Sequence, residues 1–146
     1  MTLEKISQLL YLVKRTDQRI TDAFEKKYGF SLTRYELLMT LKGNNRQLQS
    51  EIQNKMEIDS AAITRHLKIL EEKGYVTRSR NPENNREVFV ALTAKARQEL
   101  AHCEEKHALS TPDHPLLTEQ EVDQLTYLLG KLSAVTCSKK EDNYDN

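Results

Sequence analysis

The feature that most constrains this chain is a change of period at about residue 74. Before it, the segment 59–73 places Ile63, Leu67 and Leu70 at the i, i+4, i+7 spacing of one helix face. Asp59 is of a type that caps helix starts, and Gly74 stands where a helix end tolerates positive φ. The segment therefore predicts one amphipathic helix.

The opposite arc of this helix carries small, hydroxyl and basic side chains in its N-terminal half, and acids only in its last turn. Its members are Ser60, Ala61, Thr64, Arg65, Lys68, Glu71 and Glu72. Such an arc suits entry into a DNA major groove, which is about 12 Å wide. An ordinary surface helix packed on a core would show the same apolar face, so the flanking elements have to decide.

After Gly74 the period becomes that of a β-hairpin. The segment 75–80 alternates and is rich in strand formers, 81–85 is a dense turn cluster, and 86–92 resumes a strand. A two-stranded hairpin is marginal alone, so it must pack on the helices. Its arginines, Arg78, Arg80 and Arg86, would then lie along a phosphate backbone or reach a minor groove.

Three helices are predicted before the central one. A long helix from Leu3 to about Lys27 carries an apolar stripe and ends at Gly29. Thr33 with Glu36 fits a capping box for a second helix. The third spans about 48–56 and leads through a tight turn into the central helix, which is helix-turn-helix geometry.

Two helices are predicted after the hairpin. Thr93 caps a fifth helix, from residue 94 to about 108, with Leu100 as its clearest apolar anchor. The chain breaks at 110–115, and Thr118 with Glu121 forms a capping box for a sixth, apolar-striped helix. The predicted fold class is mainly α with a small β-hairpin wing, a winged helix-turn-helix.

Composition excludes several classes of protein. The chain has 146 residues, formal net charge zero and two cysteines, which suits one domain without a disulfide framework. It lacks a signal-peptide pattern and a run of 18 apolar residues, so we expect a cytoplasmic protein away from membranes. Within 64–86, six Lys and Arg stand against three acids, a local excess of positive charge. We find no enzyme motif, so no catalytic residue or cofactor is predicted.

The order of these elements resembles the MarR family of winged-helix transcription regulators. The most specific stretches are ITRHLKILEEKGYVTR at 63–78 and NPENNREVFVALTAKA at 81–96. In the second, Pro82, Arg86 and the Leu-Thr pair at 92–93 match the family's wing signature. Asn81 and Asn85 stand where the family usually has Asp; Asn can still accept a hydrogen bond there, but without the charge.

The resemblance implies a homodimer on double-stranded DNA. Residues 3–30 and 110–137 would be dimerisation helices, 31–92 the winged helix-turn-helix, 93–109 a connector helix and 138–146 a frayed tail, all in one domain of 1–146. Each protomer would offer its winged helix to half of a pseudo-palindromic operator, with recognition helices about 34 Å apart. It also implies a repressor that a small aromatic or phenolic ligand releases.

Individual roles follow for the DNA-contacting residues. Thr64 and Arg65 are the predicted base-edge readers, because Arg bonds guanine bidentately. Ser60 and Ala61 are further base candidates, and Lys68 is a predicted phosphate contact. Arg86 would enter the minor groove, with Arg78 and Arg80 along the wing. An ion pair with Glu83 or Glu87 is the alternative role for Arg86.

The signal that such a regulator would sense is left open between several sites. Cys103 lies beside His102 and His107 in the fifth helix and is a candidate redox or metal residue; the alternative is a solvated surface thiol. No metal site is predicted, because the two histidines are five residues apart. Five aromatic residues could line a ligand cavity or fill the core: Tyr11, Phe24, Tyr28, Phe30 and Tyr35.

Two other functions compete with DNA binding. A winged helix can bind protein instead of DNA, and the neutral net charge leaves that open. An enzyme would need a site that the sequence does not display.

Overall fold

The computed structural model describes residues 1–109 and 117–137. It contains α1 (Leu3–Tyr28), α2 (Leu32–Leu41), β1 (Gln47–Leu48), α3 (Gln49–Met56), α4 (Ser60–Glu72), β2 (Val76–Asn81), β3 (Asn84–Leu92), α5 (Ala94–Leu109) and α6 (Glu119–Cys137). The predicted fold class is confirmed. The predicted chain break at 110–115 and frayed tail at 138–146 lie outside the described residues.

Two compact units make up the chain, Met1–Ala108 and Leu109–Asn146. The first holds a three-stranded antiparallel sheet in the order β1-β3-β2. The predicted division into dimerisation, winged-helix and connector segments remains a prediction.

The ends of α1 and α4 follow from local chemistry. The Lys5 N–H donates to Thr2 Oγ1 at 3.2 Å, and the Ala62 N–H donates to Asp59 Oδ1 at 2.7 Å. Both side chains thus satisfy backbone donors that a helix start leaves free. Gly29 (φ 73°) and Gly74 (φ 78°) supply the left-handed residue after each helix, as predicted.

The structure differs from the sequence predictions at the cap of the second helix, which was predicted wrongly, and at one short strand, which was not predicted. The cap of α2 is Ser31, whose Oγ accepts the Arg34 N–H at 3.5 Å; Thr33 lies inside the helix. The short strand β1 was not predicted: Gln47 pairs with Val90, and Leu48 with Phe89. Two residues are too few to show the alternation from which a strand is predicted. β1 forms by pairing with the edge of β3.

One hydrophobic core holds the first unit together. Its fully buried members are Leu37, Leu38, Leu41, Ile52, Ile63, Leu67, Leu70, Val76, Val90 and Leu100. The three from α4 are at most 1% exposed. Burying one such aliphatic side chain contributes about 1.5–3 kcal/mol, so the orientation of α4 about its own axis is strongly fixed.

The apolar side chains of α1 and α6 are much less covered. No residue of α1 is buried, and Leu9, Leu12 and Ile20 are 51%, 51% and 58% exposed. In α6, Leu125 and Leu128 are 44% and 49% exposed in the single chain. The α6 start is a reciprocal capping box, as predicted: the Thr118 N–H donates to Glu121 Oε2, and the Glu121 N–H to Thr118 Oγ1.

Within residues 1–109 and 117–137, no helix combines the length and the apolar character needed to cross a membrane.

Replacing Leu67 by Ala should lower the free energy of unfolding by about 2–5 kcal/mol, because it removes fully buried methyl groups and leaves a cavity. Urea denaturation followed by circular dichroism measures this change. Lys68→Ala, on the exposed side of the same helix, is the control and should stay within about 0.5 kcal/mol of the parent. Equal losses for the two variants would mean that α4 is rotated from the orientation described.

Candidate nucleic-acid interface

The face of α4 opposite the core is open to solvent. Because Ile63, Leu67 and Leu70 are buried, the helical period places five predicted DNA-contacting side chains outward. Ser60, Ala61, Thr64, Arg65 and Lys68 are all exposed. The structure therefore brings these five predicted residues together on one helix face.

Thr64 is held in place by two hydrogen bonds. Its Oγ1 donates to the Ser60 carbonyl at 2.8 Å and accepts from Gln49 Nε2 at 3.3 Å. The hydroxyl is thus largely occupied, which leaves its methyl group as the part best placed for an apolar contact such as a thymine methyl. Gln49, which the sequence reasoning missed, links the start of α3 to α4.

Three cations of the interface carry no side-chain partner. Within the described residues, Arg65, Lys68 and Arg86 make no side-chain hydrogen bond or ion pair, and all three are exposed. The alternative predicted for Arg86, an ion pair with Glu83 or Glu87, is therefore not formed. These three side chains are available for an anionic partner.

Arg78 is differently engaged. Its guanidinium donates from Nε and Nη2 to the two carboxylate oxygens of Glu71, at 3.2 and 3.1 Å. The hydrogen bond from Arg78 lowers the pKa of Glu71. This bidentate pair ties the last turn of α4 to β2, so Arg78 has a positioning role in the structure in addition to the predicted contact with DNA.

The wing tip is ordered by two side-chain amides that share one carboxylate. Asn84 Nδ2 donates to Glu87 Oε1 at 3.0 Å, and Asn81 Nδ2 donates to Glu87 Oε2 at 3.5 Å. The same asparagines use their oxygens to accept the N–H groups of Arg86 and Glu83, at 3.2 and 3.0 Å. Each amide thus braces the turn with both of its ends.

This network explains how the wing does without Asp at position 81. An Asp side chain cannot donate a hydrogen bond, and it would set a second negative charge beside Glu87. A basic side chain is oriented by backbone instead: Arg80 Nη1 donates to the Asn85 carbonyl at 2.8 Å. The role of Glu87 was not predicted, because the sequence does not indicate which groups an acidic side chain on a strand will bond.

One buried polar residue, Gln47, links α2 to α3. Gln47, 5% exposed, donates from Nε2 to the Thr40 carbonyl at 2.8 Å and accepts from Lys55 Nζ at 3.1 Å. Both ends of its amide are satisfied, which offsets the cost of burying it.

His66 lies on the edge of the buried face of α4. Its Nδ1 is buried without a hydrogen-bond partner among the described residues. Burial lowers the pKa of His66, and the positive charges of Arg34 and Arg65 lower it further. The ring is therefore neutral at neutral pH and does not add to the charge of the interface.

Cys103 lies away from this interface and is 5% exposed. The predicted alternative of a surface thiol is therefore wrong. Burial, and then the charge of Glu99, raise the pKa of this thiol, which lowers the fraction of reactive thiolate. In the described part of the chain, no three His, Cys, Asp or Glu side chains are grouped so as to hold a metal ion.

The comparisons with known proteins point to one family. The family model described as "MarR family" matches residues 30–88, which span α2 to the middle of β3 and so include the whole interface described above. Over these residues the chain resembles the MarR family. Members of this family are transcription regulators.

Relatives by sequence include both close and full-length matches. One relative, described as the uncharacterized HTH-type transcriptional regulator YdgJ of Bacillus subtilis, is 44% identical over 94 residues, covering 64% of this chain. The match spans 57% of that relative's length. The multiple antibiotic resistance protein MarR of Salmonella typhimurium is 29% identical over 132 residues, covering 87% of this chain and 90% of the relative.

Solved structures of MarR-family proteins have the same fold. A mutant MarR from E. coli complexed with operator DNA is 26% identical, with a TM-score of 0.71 and coverage of 90% and 99% of the two chains. The transcriptional repressor CouR, bound to a 23-mer DNA duplex, is 25% identical, with a TM-score of 0.76 and coverage of 91% and 98%.

Replacing Glu87 by Gln should weaken DNA binding about two- to tenfold, because Gln offers one acceptor oxygen to two amide donors. A lost hydrogen bond of this kind costs about 0.5–1.5 kcal/mol. Glu83→Gln is the matched control: it removes the same charge from the same wing but no described side-chain bond. Fluorescence anisotropy with labelled DNA measures both affinities. If Glu87→Gln binds as well as Glu83→Gln, the amide network does not order the wing for DNA.

The half-buried ring of His66 should make stability depend on pH. Because its folded pKa lies below the ordinary value of 6.5, the unfolded chain takes up this proton first as the pH falls. The free energy of unfolding should therefore decrease as the pH is lowered through 6.5. His66→Asn should reduce that decrease, whereas the exposed control His102→Asn should retain it. Urea denaturation at a series of pH values measures both, and equal pH dependence for the two variants would contradict the assignment.

Proposed function

We propose that this protein is a homodimeric, sequence-specific DNA-binding transcription regulator that acts as a repressor. The observation that carries the proposal is a set of three cations on α4 and the wing, Arg65, Lys68 and Arg86, that have no side-chain partner in the described part of the chain. Phosphate contacts supply most of the affinity for DNA, and Arg65 lies where a recognition helix meets base edges.

The DNA contact proposed for each side chain follows from the hydrogen bonds that the side chain already makes within the protein. Arg65 is free to bond a guanine, the Thr64 methyl to contact a thymine, and Ser60 and Ala61 to touch neighbouring bases. Lys68 suits a phosphate. Arg86 and Arg80 extend from the wing, with Arg86 the better minor-groove candidate because Arg80 holds the Asn85 carbonyl.

Dimerisation is supported by the apolar faces of α1 and α6. Side chains such as Leu9, Leu12, Leu125 and Leu128 are about half exposed in a single chain, and large exposed apolar faces mark interaction surfaces. In a two-fold dimer the two α4 helices would lie about one DNA turn, roughly 34 Å, apart. The operator would accordingly be a pseudo-palindrome of double-stranded DNA.

Release by a small aromatic or phenolic ligand is supported by one cavity in the first unit. It has a volume of about 270 Å³ and is lined by three aromatic rings. Such a ligand would bias the position of the helices that carry the recognition element. We also propose that the protein acts in the cytoplasm and has no catalytic activity, as a DNA-binding role would require.

A protein-binding winged helix is the second candidate function, and the zero net charge of the chain is what favours it. The two functions differ in their response to salt. Neutralising phosphates releases counterions, so DNA affinity falls steeply as salt concentration rises. An affinity for DNA that is weak and insensitive to sequence would favour the protein-binding role.

Arg65→Ala should weaken binding to the operator by about 1–3 kcal/mol and relax specificity, because it removes the proposed guanine contact. Lys68→Ala, which removes an equal charge one turn along, should instead weaken operator and scrambled DNA equally. Anisotropy titrations with both duplexes at fixed salt measure the two affinities. If Arg65→Ala leaves the ratio of operator to scrambled affinity unchanged, Arg65 does not read bases.

A further inference from the structure

The cavity of the first unit is walled by aromatic rings from α1 and α2. Phe24 and Tyr28 lie with ring centroids 4.9 Å apart, and Phe24 and Tyr35 lie 5.3 Å apart in an edge-on arrangement. Tyr28 also contacts α5, because its Oη is hydrogen-bonded to His107 Nδ1 at 2.7 Å. Three differently tilted rings around one space form a partial aromatic cage.

The charge on the lining of this cage is negative. Among the described residues its lining consists of Phe24, Tyr28, Tyr35, Cys103, Glu104 and His107. Within that described lining Glu104 is the only carboxylate, and no Lys or Arg is included. The carboxylates of Glu104 and Glu36, after burial itself, raise the pKa of Tyr35. The field at the Tyr35 hydroxyl therefore opposes an anion.

Two cations lie close to this cage, and the charge of Lys106 acts on the pKa of Cys103 in the direction opposite to the charges of Glu99 and Glu104. Lys106 Nζ donates to the Lys27 carbonyl at 2.6 Å, outside the lining. Lys27 Nζ lies 5.2 Å from the centre of the Tyr28 ring, which is a cation–π contact on a ring of this same cage.

The remaining wall is the Cys103 side chain, which is 5% exposed. Because burial raises the pKa of this thiol, it presents a neutral, polarizable sulfur to the cavity. A ligand would thus meet aromatic faces and sulfur on most sides and one carboxylate at the rim, where Glu104 is exposed.

We propose that this cavity binds a single-ring organic cation, whose charged group lies among the rings of Phe24, Tyr28 and Tyr35 with Glu104 as counter-charge. Aromatic faces attract ammonium groups, and a volume of about 270 Å³ is near the lower end for small-molecule sites, which limits the ligand to about one ring. The inference rests on the proposed function in one respect: the cation is the signal that releases DNA.

The binding step is tested by calorimetry on the full chain without DNA. The probes share one ring and differ in charge: benzyltrimethylammonium, benzyl alcohol and benzoate. The cation should bind about tenfold more tightly than either other probe, a difference of about 1.4 kcal/mol. Tighter binding of benzoate, or equal binding of all three, would overturn the proposal.

A matched pair of variants tests the role of the carboxylate. Glu104→Gln should weaken binding of benzyltrimethylammonium about five- to tenfold and leave benzyl alcohol unchanged. Glu105→Gln removes the same charge from the next residue of α5, which does not line the cavity, and should have less than a twofold effect. Equal effects of the two variants on cation binding would overturn the role of Glu104. Circular dichroism establishes that both variants are folded.

The signalling step is measured separately, as DNA affinity by anisotropy with and without benzyltrimethylammonium. A lowered DNA affinity that Glu104→Gln abolishes is the expected result. Binding of the cation with unchanged DNA affinity would overturn its role as the signal. Absence of DNA binding in every condition would instead overturn the proposed function, while calorimetry would still report on the cavity.

Discussion

The burial of three aliphatic side chains on one face of α4 determines what the rest of the molecule can do. Ile63, Leu67 and Leu70 are at most 1% exposed, and together they fix the rotation of the helix about its axis. Because an α-helix completes one turn every 3.6 residues, the same constraint directs Thr64 and Arg65 away from the core. The recognition surface is thus a geometric consequence of the core.

A second constraint sets the wing relative to that helix. The bidentate bond between Arg78 and Glu71 joins β2 to α4, and Glu87 gathers the two amides of the wing tip. Exposed ion pairs contribute little stability, so their importance lies in geometry. Arg86 itself has no carboxylate partner among the described residues.

The sequence predicted the parts that rest on local signals. Periodicity and caps located α1, α4 and α6, and the change of period located the hairpin. It could not predict β1, which depends on an edge offered by β3, nor the burial of Cys103, which depends on how α5 packs. The pairing of Glu71 with Arg78 joins residues seven apart in different elements, and the sequence carries no signal that selects that acid over Glu72.

The most direct test of the central claim is selection of bound DNA from a random pool by the purified protein. If two copies of the chain present their α4 helices together, the enriched sequences should contain an inverted repeat with half-site centres about 10 base pairs apart. Enrichment of a single unrepeated half-site, or of no sequence at all, would contradict the account.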